Sequence, residues 1–122
     1  MSDDLRRKNG VALYKQLFAG VRTGVGARPP KRFAEYSLKH LFGDVWQDET
    51  LALAERSLLT CGMLVAMNRE AEQRLHFVGA RNVGVPREKL EAMITHAAHY
   101  AGWPCAASAF RVLSEVWPEQ RD

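Results

Sequence analysis

The stretch Ser57–Met67, SLLTCGMLVAM, constrains this chain more than any other. It holds no charge and no proline, and it is apolar or small all the way round a helical wheel. A helix with no polar face belongs inside a protein or inside a membrane. Spanning a bilayer takes about 20 residues, so this run reads as a core helix. In a chain of only 122 residues, neighbouring helices cannot easily cover every side of it. The sequence therefore predicts a partner subunit over part of that surface.

The remaining segments also read as helices. Asp3 or Asp4 can cap a first helix from about Leu5 to Ala19, with Val11, Tyr14, Leu17, Phe18 and Val21 at helical spacing and Gly20 as its stop. Gly20 to Pro30, with three glycines and two prolines, must be a loop. A second helix over about Lys31 to Leu41 puts Phe33, Tyr36 and His40 on one side, Gly43 breaks it, and residues 44–47 form a turn or short helix. The third helix runs from about Leu51 to Met67 with Thr50 near its start. Asn68 can cap a fourth, Arg69 to Arg81, which has Glu70 and Glu72 in its favourable first turn. Pro86 opens a fifth helix to about Ala101, and the last runs from Pro104 to about Trp117. No segment alternates long enough to make a strand. The expectation is one all-α domain of about six helices over residues 1–122.

Charge and cysteine content narrow the function. The net charge is +3, yet residues 1–40 hold nine Lys/Arg against three acids. The basic residues are scattered and match no nucleic-acid motif, so a solvated surface or attraction of a small anion is expected, not nucleic acid. Cys61 and Cys105 fit no close-spaced redox or zinc pattern and read as small core residues. The first ten residues lack the apolar stretch of a secretory signal, which points to a cytoplasmic protein that does not enter the membrane.

Three groups of residues could carry chemistry. Glu72 and His76 lie four apart on one helix, so both emerge on the same face, where a carboxylate can fix an imidazole's tautomer and raise its basicity. From spacing alone, an exposed ion pair is the commoner outcome. His96 and Tyr100 share a face ahead of Gly102-Trp103-Pro104, while His99 points elsewhere; these could line a pocket or sit in a core or interface. Arg56, at the entrance to the apolar helix, must find an acceptor, either a structural carboxylate or a bound anion. Glu72, His76, His96 and His99 form no tight metal-ligand set, so no metal is expected. There is no GxSxG elbow, and GVRTGVG lacks the GK[ST] ending of a phosphate loop.

Several blocks in fixed order bring a family into view. They are Arg7 and Gly10 with Tyr14; FGDVW at Phe42 to Trp46; Arg56; Glu72 with RLH at Arg74 to His76; and HYAGWP at His99 to Pro104, followed by AASAFRVLSEV. Together they resemble the gamma-carboxymuconolactone decarboxylase family over nearly the whole chain. The resemblance implies an alkylhydroperoxidase D-like helical fold whose subunits interlock as trimers or hexamers. It implies a cofactor-free decarboxylase for a small carboxylated lactone or other anionic acid, in aromatic-acid catabolism or on a different activated acid in secondary metabolism. A non-catalytic member that only binds a small ligand is the remaining alternative.

In that reading His76 is the proton donor or oxyanion partner, Glu72 its orienter or the acid itself, and Arg56 a carboxylate anchor. His96, Tyr100 and Trp103 are further pocket residues. The related peroxidases carry CxxCxxxH with an upstream glutamate. Here those positions hold Arg69, Glu72, His76 and Ser57, and without either thiol, peroxidase chemistry is excluded there. His99, Trp103 and the segment Gln47 to Glu55 depart from the family's usual residues.

Overall fold

The computed structural model describes residues 2–21 and 28–120. Helix α1 spans Asp3–Leu17, α2 Lys31–Tyr36, α3 Leu53–Ala66, α4 Glu70–Asn82, α5 Arg87–Tyr100 and α6 Trp103–Val116. A π turn, Ser37–Leu41, continues α2, and a single 3-10 turn covers Val45–Gln47. The described residues contain no strand, and no helix among them is long and apolar enough to cross a membrane. The all-α expectation holds; residues 22–27 of the expected loop lie outside the described ones.

Local chemistry sets the helix ends, and it shifts several of the expected ones. Ser2 caps α1, its Oγ accepting from the Leu5 amide at 3.2 Å, so Asp3 and Asp4 sit inside the first turn. Thr50 does not start α3. Its amide and hydroxyl both donate to Asp48 Oδ1, at 3.0 and 2.8 Å, closing a turn, and α3 begins at Leu53 with Glu55 accepting from the Ala52 amide at 2.8 Å.

Asn68 ends α3 instead of capping α4. At φ 56° it takes the left-handed conformation, its amide donates to Val65 O and the Arg69 amide to Leu64 O, at 3.0 and 2.9 Å. That is the Schellman arrangement, in which Asn is the usual substitute for Gly. Glu70 and Glu72 still occupy the first turn of α4.

Helices α3 to α6 form the larger core, around Cys61, Val65, Phe77, Leu90, Ile94 and Leu113. The isolated chain buries only one stripe of α3, Ser57, Cys61 and Val65. The opposite stripe is open, with Leu59 50% and Met63 56% exposed, so burial on every side is not reached within one chain. Burial pushes the Cys61 thiol up to about 12, which leaves it an inert core residue, its Sγ against His76 O at 3.3 Å.

A second, smaller core joins α1 to the α2–π segment through Leu13, Leu17, Phe42 and Trp46. Here two glycines set the spacing. A Cβ on Gly10 would overlap the carbonyl of Leu38, and one on Gly43 would overlap the carbonyl of Arg6. The π turn, closed by Phe42 N to Ser37 O at 2.9 Å, interrupts the single helix expected over 31–41. Its extra residue lies where Leu38 O meets α1. Arg7 on α1 then reaches Glu35 on α2 at 3.3 Å. Helix α4 ties the two cores together: Asn82 Nδ2 donates to Leu17 O and Ala19 O at 2.9 and 2.8 Å, and Gly79 lies under the Leu17 side chain.

Candidate functional site

His76 stands at the seam between the two cores. It occupies the middle of α4, with its backbone carbonyl toward Cys61 of the larger core and its ring edge-to-face with Phe18, centroids 5.3 Å apart, on the side of the smaller one. Phe18 in turn packs edge-on against Tyr14 and Phe42, at 4.9 and 6.0 Å. This apolar enclosure pulls the imidazole below its ordinary value of 6.5, while the charge of Glu72 works in the opposite direction. The His76 Nδ1 is buried and has no hydrogen-bond partner. A neutral imidazole with an unmatched buried nitrogen is unusual, because an unpaired buried polar group costs about 1–3 kcal/mol.

Glu72 lies one turn earlier on the same face. Its carboxylate does not touch the imidazole; it takes a 2.7 Å hydrogen bond from Arg69. That bond is the main cause holding the Glu72 carboxyl below the usual carboxylate range, with its own backbone and the His76 charge adding to it. The simple surface ion pair between Glu72 and His76 is thus not formed. In its place the chain Arg69–Glu72–His76 runs along one helical face, and at neutral pH it carries a guanidinium, a carboxylate and an uncharged ring. Such a face can stabilise negative charge through its guanidinium and favour proton uptake on the imidazole through its carboxylate.

The other residues singled out from the sequence make no hydrogen bond, ion pair or ring contact with Glu72 or His76. Arg56 donates from its Nη2 to Asp48 O at 3.0 Å, and its Nε is buried without a partner, so it is tied to the turn before α3. His96 and Tyr100 do share a face, rings 4.7 Å apart, and line a groove between α3 and α5 with Leu59 and Met63. Tyr100 is nevertheless 82% exposed. His99 points away, as its spacing implied, with Nδ1 2.8 Å from Thr95 O and its ring against Trp103, itself 68% exposed. Helix α5 packs on α3 and α6, so a single chain does not bring this group to His76. Among the described residues no three His, Cys, Asp or Glu side chains cluster as a metal site would need.

Two members of the site were not singled out from the sequence. Arg69 was visible in principle as an i, i+3 partner for Glu72. Phe18 was not, since 58 positions separate it from His76 and only tertiary packing joins them.

Comparisons with known proteins converge on one family. The profile described as "Carboxymuconolactone decarboxylase family" matches residues 31–115. A 4-carboxymuconolactone decarboxylase of Acinetobacter baylyi is 33% identical over 87 residues, covering 71% of this chain and 65% of that protein. A nitrosuccinic acid decarboxylase of Metarhizium robertsii is 38% identical over 75 residues, covering 62% of this chain and 52% of that protein. The matched region thus spans between half and two-thirds of the length of these relatives.

Proposed function

This chain belongs to the carboxymuconolactone decarboxylase family, and on that premise we propose that it is a decarboxylase of a small activated organic acid, with α4 as its catalytic face. The observation that carries the reading is the buried, unpartnered imidazole nitrogen of His76 one turn from a carboxylate that Arg69 keeps ionised. A carboxylated unsaturated lactone of the carboxymuconolactone kind, met in aromatic-acid breakdown, is the first substrate to test.

In such a lactone the bond to the departing carboxylate breaks and carbon dioxide leaves. The electron pair moves through the ring double bond onto the lactone carbonyl, giving a dienolate, and a proton taken up at carbon restores the neutral lactone. The substrate is its own electron sink, so the chemistry calls for no cofactor. With its ring uncharged at neutral pH, His76 donates a hydrogen bond to the developing oxyanion, and it passes a proton to carbon only after taking one up from solvent. One such placed donor is worth about 3–4 kcal/mol, and proton delivery about 10²–10⁴-fold. Since Glu72 is held as a carboxylate, it is not the acid; its negative charge one turn away favours proton uptake on His76. His96, Tyr100 and Trp103 complete the pocket only if a neighbouring copy brings them near. The open stripe of α3, with Leu59 and Met63, is the surface a trimer or hexamer would cover.

A second reading has its own support. The two relatives carry the names of decarboxylases for different acids, so a different activated acid is the natural alternative. What these acids share is an electron-withdrawing group placed to accept the electron pair left by carbon dioxide. Carbon dioxide release by purified protein from 4-carboxymuconolactone and from nitrosuccinate tests both. Turnover of the first supports the lactone reading and turnover of the second alone the alternative. Release from neither, nor from other acids with such a sink, means a non-catalytic binding protein.

A further inference from the structure

Between α1 and the α2–π segment lies a cleft of about 590 Å³ whose lining includes Tyr14, Lys15, Phe18, Phe33, Phe42 and Leu75. Its size falls in the range of small-molecule sites, about 300–1,000 Å³, and its wall of aromatic rings with few polar groups is typical of them. It also shares a wall with the candidate catalytic face. Phe18 borders the cleft and its ring meets His76, while Leu75 is the residue next to His76 on α4.

The polar groups of this wall are few. The Ser37 hydroxyl is already donating to Phe33 O at 3.2 Å. The Tyr14 hydroxyl and the Lys15 ammonium have no hydrogen-bond or ion-pair partner among the described residues. Among the described residues Lys15 is the one cation of the lining, at the last turn of α1. An apolar slot with a single cation at its edge matches a flat body bearing one carboxylate.

We propose that this cleft seats the flat, unsaturated body of the acid substrate and that Lys15 pairs with a carboxylate the substrate keeps through the reaction. The inference rests on the decarboxylase reading for the fate of the bound acid, but not for the binding itself. It moves the anchoring role from Arg56, which is tied to Asp48 O and does not border the cleft, to Lys15. It also makes the cleft the determinant of substrate class: cyclic or conjugated acids enter, and short flexible polar acids gain little from its aromatic walls.

Cinnamate, an unreactive flat monoanion, and its neutral methyl ester are the probes, titrated calorimetrically into the assembled protein. Cinnamate saturates one site per chain. Lys15→Gln weakens it by about tenfold and leaves the ester unchanged, because only the ion pair is lost. Ala34→Leu, which fills the cleft from α2, weakens both probes. The proposal is overturned by absence of saturable cinnamate binding up to about 10 mM, by equal affinity in Lys15→Gln, or by an Ala34→Leu protein that is folded and binds both probes normally. Carbon dioxide release is read separately. Normal probe binding without turnover of any activated acid sinks only the decarboxylase reading, and turnover without probe binding sinks only this one.

Discussion

The two cores of this molecule are held together in different ways. The α3–α6 core works by area: Phe77, Leu90, Ile94 and Leu113 are all wholly buried, each worth about 1.5–3 kcal/mol in transfer terms. The α1–α2 core has few such residues and works by fit, with backbone laid directly on backbone at Gly10 and Gly43. The comparison teaches that the larger core can tolerate adjustment by repacking, whereas the smaller one has no side chain to move out of the way. His76 lies on the line between them, so its enclosure depends on the weaker unit staying docked.

The largest effect lies in the larger core. Phe77→Ala removes a wholly buried ring and should lower unfolding free energy by about 3–5 kcal/mol in denaturant titrations, with the entire chain unfolding as a unit. Gly10→Ala is next. It forces a methyl into the Leu38 carbonyl and should cost about 1–3 kcal/mol. Its signature is local: hydrogen exchange should speed up in α1 and α2 while α3–α6 keep their protection. Equal loss of protection in both regions would erase the distinction drawn between them.

Some of this was legible in the sequence and some was not. The blocks containing Gly10 and FGDVW stood out as a resemblance, but the spacing of residues gave no hint that Gly10 and Gly43 meet one π turn. The helices of the larger core could be read from apolar periodicity, because their stability is local pattern plus burial. Asn68 was misplaced by one role, since a residue good at capping a helix start is also good at the left-handed end of the one before. The Glu72–His76 face was visible from i, i+4 spacing alone. The Arg69 bond that occupies Glu72 and the Phe18 ring that encloses His76 decide how the pair behaves. The second of these depends on a contact across most of the α1–α4 connection.

Acid pH probes the same seam more gently. Burial depresses His76 below 6.5 in the folded protein, so between its folded and unfolded values the unfolded chain binds more protons. This contribution is fully present above about pH 6.5 and is lost as pH falls through the lower folded value. Melting temperature should therefore drop from pH 7 toward pH 5, and His76→Gln should flatten that slope. A wild-type curve flat over this interval would mean that the imidazole is not enclosed. Smallest of all, Arg69→Gln should leave stability within measurement error, since the pair is exposed. It should raise the Glu72 pKa, readable by side-chain carboxyl NMR, because the Arg69 bond is the first cause of its depression.

The claim that α4 carries a proton-handling pair is tested most directly by a cycle of His76→Ala, Glu72→Gln and the double variant, assayed on whichever activated acid the wild type decarboxylates. The account predicts that each single variant folds and loses at least about a hundredfold in turnover. It also predicts that the double variant is hardly worse than His76→Ala, since Glu72 acts through the ring. Near wild-type turnover in His76→Ala, or losses that simply multiply in the double variant, would contradict it.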